Sequence, residues 1–161
     1  MTSTLRMLGL AAAVGLAAGA AAPALAQGGD THVLMPAESI RWQPGPASLP
    51  RGAEVASLYG NAGKEEMFAM RLKLPAGYAI PPHTHPKPEI VTVISGTFHL
   101  GMGEVADRSR TTALRPGSFF AFPPGMAHYA FTDEETVVQL NSTGPWSLNY
   151  VNPQDDPRKT Q

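Results

Sequence analysis

Proline and glycine interrupt this chain so often that long helices have little room to form. Sixteen of each are spread over 161 residues, with short runs of β-branched and aromatic residues between them. Proline fixes φ and removes a backbone donor, and both residues punctuate local structure, so the pattern favours many short strands joined by turns. The clearest run is 67–74, where Phe68, Met70, Leu72 and Leu74 alternate with Ala69, Arg71 and Lys73. That is the period of a half-buried strand with one solvated side. Residues 89–94 form the run richest in β-formers, and further strands are expected over 31–35, 53–59, 97–100, 111–114, 118–122, 128–131, 136–140 and 146–151. The expectation is an all-β domain.

The first 26 residues stand apart. Arg6 precedes an apolar run over 7–22, and Ala24-Leu25-Ala26 closes it, the layout of a removable export signal. A run this short and this rich in Ala and Gly fits a signal better than a membrane span. The expected mature chain starts at Gln27 and is periplasmic or secreted, in a bacterium. It divides into an N-terminal arm over 27–52, a barrel over 53–151 and a polar tail over 152–161.

Cysteine is absent, so an exported chain must hold itself by packing and by any bound metal. From Gln27 onward eleven basic residues face thirteen acidic ones. They form no basic stripe, so neither nucleic acid nor an anionic membrane is expected as a partner. Asp133-Glu134-Glu135 and the polar stretch 101–110 read as solvated connections. Trp42, inside the Pro-rich arm, is expected to plug one end of the barrel or to contact a second copy in a homodimer.

Chemistry concentrates around His83-Thr84-His85. Histidines one residue apart project from the same side of an extended strand. Glu89 opens the next run, where Val91 and Val93 share its face, and His128 follows the bend at Pro123-Pro124-Gly125. Three neutral imidazoles and a carboxylate suit a divalent transition metal. The competing reading is a surface loop, since the histidines sit among four prolines. Outside this set, Tyr129, His99 and Gln139 are the candidate catalytic residues. Gln139 stands in an otherwise apolar run, where a buried amide needs a partner such as a ligand or water.

Two stretches carry a family resemblance. In the first, Gly77, five residues, His83, Thr84, His85, three residues, Glu89, six residues and Gly96 follow in order. In the second, Gly117, five residues, Pro123, Pro124, Gly125, two residues and His128 do so. Together they resemble the paired motifs of the cupin superfamily, over about 65–139. The first matches at every fixed position; the second departs at its end, where the family has Asn and this chain has Thr132.

The resemblance implies a small antiparallel β-barrel of the jelly-roll type, also called a double-stranded β-helix. It also implies one divalent transition metal held inside by His83, His85, Glu89 and His128. Iron or manganese is implied first, with zinc, nickel and copper open. An octahedral ion with four protein ligands keeps two positions for a small-molecule ligand or dioxygen. The expected activity is a dioxygenase-type oxidation of a small oxygenated compound such as a β-diketone, enediol, catechol or 2-oxo acid. Its cavity is expected to be lined by Phe68, Met70, Tyr78, Val91 and Phe131. A non-catalytic binding or sensing module, and an isomerase or lyase, stay open because cupins host many functions.

Overall fold

Short runs between turns yield short strands. The computed structural model describes residues 32–159, so the expected leader over 1–26 and the start of the arm lie outside the described residues. Eleven strands follow in chain order: β1 (Gln43–Pro44), β2 (Glu54–Tyr59), β3 (Met67–Leu74), β4 (Ala79–Thr84), β5 (Glu89–Ser95), β6 (Phe98–Met102), β7 (Thr111–Leu114), β8 (Phe119–Phe122), β9 (His128–Thr132), β10 (Thr136–Thr143) and β11 (Asn149–Tyr150). Every helical element among the described residues is a three-residue 3₁₀ turn. No helix among them is long and apolar enough to cross a membrane.

The strands pair antiparallel in two sheets. One has the order β1-β2-β3-β10-β5-β8 and the other β11-β4-β9-β6-β7. The expected barrel is therefore a jelly-roll sandwich whose two sheets do not close into one ring of hydrogen bonds. Alternation along each strand builds the core between them. Leu74, Val91, Val93, Val138 and Leu140 from the first sheet meet Ile80, Phe98, Leu100 and Ala130 from the second in one buried cluster. Each Val, Leu, Ile or Phe among them contributes about 1.5–3 kcal/mol of burial free energy.

Turn chemistry sets where the strands stop. Gly96 turns β5 into β6 at φ 72°, where a Cβ would overlap the Glu135 carbonyl and Thr136, so glycine is needed on both counts. Gly101 is a packing case: its bare Cα leaves room for the ring of Tyr129. Thr132, the departure from the family motif, is fully buried, and its Oγ1 donates to the Pro75 carbonyl at 2.7 Å.

Three expectations need correction. Residues 32–35 form no strand. Residues 146–148 are irregular, and only Asn149–Tyr150 pairs as β11. Trp42 does not plug the sandwich; it lies half-buried under Lys73 Nζ, 4.6 Å from the ring centroid. Lys73 alternates with the inward Leu72 and Leu74, which puts this contact on the outer face. Trp146 takes the inner position instead, edge-on to Phe68 with ring centroids 5.9 Å apart.

Candidate metal centre

β4 carries His83, and His85 follows directly after its last residue. β5 opens with Glu89, and β9 opens with His128, paired across from His83 in the sheet register. A break in register between Ile80 and His83 lets the proline-bearing half of β4 turn its histidines inward. His83, His85 and His128 are buried, with relative exposures of 3%, 6% and 3%. Their ring centroids lie 4.3–5.2 Å apart, and one ligand atom from each falls within 4.8 Å of the others. Bonds of about 2.1 Å to a single ion place two ligands at most about 4.2 Å apart. The histidine side chains would draw together to close on one cation.

Hydrogen bonds fix which nitrogen faces the centre. His83 Nδ1 meets the Pro81 carbonyl at 2.7 Å, His85 Nδ1 the Ser147 carbonyl at 2.9 Å, and His128 Nδ1 the Met126 carbonyl at 3.0 Å. A carbonyl only accepts, so each Nδ1 carries a proton, and in a neutral ring the lone pair is then on Nε2. This is the outer support that orients metal-binding imidazoles.

Glu89 completes the set. Its Oε1 lies 3.6 Å from His85 Nε2 and its Oε2 lies 3.0 Å from His128 Nε2. Even so, His85 Nε2 and Glu89 Oε2 are buried without a well-aligned hydrogen bond. Buried polar atoms left this way cost about 1–3 kcal/mol each. Two orphaned lone-pair atoms converging with two further imidazoles are what a divalent cation would satisfy.

The electrostatics favour neutral rings at His83 and His85. Burial, reinforced by the neighbouring His128 and His85 rings, holds His83 well below the ordinary imidazole value. Burial also lowers His85, against the pull of Glu89. His128 is the exception: burial pushes it down, but its contact with the Glu89 carboxylate and that group's charge raise it overall.

A cavity of about 510 Å³ opens onto His83, His85 and Glu89. Its walls are mainly apolar, and it is bounded by the arm at Pro44–Leu49, the turn at 60–63 and the segment 146–148. Two phenols tie the arm in place: Tyr78 Oη donates to the Pro50 carbonyl at 2.5 Å and Tyr150 Oη to the Ser48 carbonyl at 2.7 Å. Burial pushes the Tyr150 hydroxyl up to about 12. Behind the histidines lies a recess of about 30 Å³ that also touches His128 and Val91.

The other candidates face away. Tyr129 follows the inward His128 and so points to the opposite side, where its Oη donates to the Asp107 carbonyl at 2.8 Å. His99 stacks on Phe131 at 4.4 Å, and its Nε2 lies 3.3 Å from Asp133 Oδ2. Gln139 alternates with the buried Val138 and Leu140. Its Oε1 accepts from Arg71 Nε at 3.2 Å and its Nε2 donates to Asn141 Oδ1 at 3.3 Å. Of the expected cavity residues, Met70 lines the cavity, whereas Phe131 lies beneath the Arg108 guanidinium on the outer side.

Sequence reasoning missed Trp146 and Ser147. Trp146 lies flat on His85, with centroids 4.0 Å apart and an interplanar angle of 18°. Its amide donates to the Ala62 carbonyl at 2.8 Å, and the next residue's carbonyl is the one that holds His85. The available signal was a large aromatic directly after Gly144-Pro145, in a stretch too irregular for the strand period.

Comparison with known proteins shows what this geometry is similar to. The family model described as "Cupin domain" matches residues 70–142. Germin-like protein 3-1 of Oryza sativa subsp. japonica is 36% identical over 96 residues, covering 56% of this chain and 42% of its own. The chain thus spans about two fifths of that relative's length. Among solved structures, the polyketide cyclase RemF from Streptomyces resistomycificus aligns with TM-score 0.55 and 19% identity, over 66% of this chain and 76% of its own. An RmlC-like cupin from Shewanella frigidimarina NCIMB 400 aligns with TM-score 0.55 and 17% identity, over 71% and 94%. Jelly-roll topology, a buried three-histidine cluster at the motif positions and the match over residues 70–142 agree: this part of the chain is similar to the cupin domain, and the fold is that of cupins.

Proposed function

We propose that this protein is a metal-dependent cupin of the dioxygenase type, acting on a small oxygenated compound. His83, His85, His128 and Glu89 are its ligands to one divalent transition metal. A resident ion would supply Lewis acidity and, where it is iron or manganese, an electron-transfer centre. The observation that carries the reading is the pair of orphaned atoms, His85 Nε2 and Glu89 Oε2, beside imidazoles whose Nδ1 protons are already committed to carbonyls.

Oxygenation is favoured over isomerase or lyase chemistry by what surrounds those ligands. Among the described residues lining the cavity, the titratable ones are His83, His85 and Glu89 themselves, so none of the other described side chains there stands ready as a general base. Tyr129, His99 and Gln139 are engaged elsewhere. The residues of the chain would hold the ion, keep the histidines neutral and exclude water.

Elemental analysis of protein purified without added metal is expected to find about one transition-metal ion per chain. An oxygen electrode with β-diketones and catechols is expected to record uptake with product formed. Metal content unchanged in a folded His83→Ala, His85→Ala variant would overturn the ligand set. Metal present without oxygen uptake across the panel would favour a binding module.

A further inference from the structure

The chain after β11 is polar in composition, yet it folds back onto the wall of the histidine site. It forms two 3₁₀ turns, Pro153–Asp155 and Pro157–Lys159. Between them Asp156 keeps only 9% of its surface exposed, a burial that a carboxylate tolerates when it is paired. Arg158 pairs with it as a fork: Nε lies 2.7 Å from Oδ1 and Nη2 lies 2.8 Å from Oδ2. The Arg158 amide donates to Oδ1 as well, at 3.0 Å. The same Nη2 also donates at 3.0 Å to the Leu148 carbonyl. That carbonyl is one residue beyond the Ser147 carbonyl that holds His85 Nδ1.

A guanidinium presents its donors in fixed directions, so a carboxylate that grips two of its nitrogens also aims it. Asp156 therefore directs Arg158 at Leu148. The stretch 146–148 lies outside the strands and depends on contacts at its two ends. At the start, the Trp146 amide donates to the Ala62 carbonyl at 2.8 Å. At the end stands Arg158 on Leu148, just before the two-residue strand β11. Between these anchors lie the ring stacked on His85 and the carbonyl bonded to it. A buried ion pair is weak grounds for stability, because desolvation offsets its attraction, but its geometry is specific. Here that geometry ends beside the support of a metal-site histidine. We infer that Arg158, aimed by Asp156, is a positioning residue: through Leu148 it keeps the Ser147 carbonyl where it accepts the His85 Nδ1 proton, which leaves His85 Nε2 facing the centre. The consequence for metal affinity rests on the metal reading; the brace on His85 does not.

The test compares the wild-type chain with Arg158→Met and with the double variant Asp156→Asn, Arg158→Met. The double variant leaves no buried carboxylate unpaired, so it keeps the test open if the single one folds poorly. Solvent exchange of each imidazole N–H is followed by NMR in metal-free protein labelled with ¹⁵N-histidine, and zinc affinity is measured by chelator competition. His85 Nδ1–H is expected to exchange about tenfold faster in both variants, with His83 and His128 changed by less than about twofold. Those two rings donate to the Pro81 and Met126 carbonyls, which Arg158 does not touch. Zinc binding is expected to weaken by about tenfold, the lower end of what losing an outer support costs. Arg158→Lys should fall between, because an ammonium cannot grip carboxylate and carbonyl with one fork. An unchanged His85 proton would overturn the inference. So would all three ring protons exchanging faster in step, the mark of a general loss of stability. A faster His85 proton with zinc affinity unchanged would overturn the positioning role at the metal. Wild-type protein that binds no zinc would instead overturn the metal reading, with the brace still readable in the metal-free spectra.

Discussion

Imidazoles packed ring against ring resist becoming cations together. His83 and His85 are lowered chiefly by burial, so the unfolded chain takes up protons near its ordinary value of 6.5 that the folded chain refuses. Stability from these two is present above that value and is lost as pH falls from it towards their folded values. His128 runs the other way. Its folded value is raised, so its contribution is full below 6.5 and fades as pH rises through the folded value. Urea unfolding of metal-stripped protein at pH 7.5 and 5.5 is expected to show a loss at acid pH, and His83→Asn should flatten it. A steeper acid loss in His83→Asn would contradict the account. The proposed ligands His83, His85, Glu89 and His128 were legible as a group because motif spacing fixes them, and the structure brings the three histidines together. Trp146 and Ser147 were not, because their role depends on where an irregular segment folds back, 61 residues or more from the histidine they hold.

Strand parity explains both what was readable among the elements and where the remaining candidate residues point. The alternation in β3 was plain in the sequence, and its bounds agree with the structure. The same period, applied to neighbours, places Tyr129 opposite His128, and His99 opposite Phe98 and Leu100. Closure into a ring was not readable, because it depends on which edge strands pair rather than on any one strand's pattern. Tyr129→Phe is expected to lower stability by about 1 kcal/mol, through loss of its hydrogen bond to the Asp107 carbonyl. Metal affinity, measured by competition with a chromophoric chelator, should be unchanged. A large fall in affinity at constant stability would return Tyr129 to the site.

For the whole molecule, any resident ion joins elements that are distant in sequence, β4, β5 and β9, through side chains that otherwise leave buried atoms unsatisfied. Binding to the folded state alone stabilises it by about 4 kcal/mol when free metal is a thousand times its dissociation constant. Chelation with EDTA followed by calorimetry is therefore expected to lower Tm by about 10 °C, at about 2–4 °C per kcal/mol for a chain of this length. Re-addition of metal should reverse it, and the gap should narrow at acid pH as the histidines protonate. A Tm unaffected by chelation of protein shown to hold metal would count against a buried centre.

The Ser147 carbonyl that steadies His85 comes late in the chain. A polypeptide still emerging from the ribosome presents both early histidines long before that brace exists. Any ion held at these side chains would then be braced only after the segment carrying Ser147 has docked, so the ion available at that stage of folding would have the first opportunity to occupy the centre.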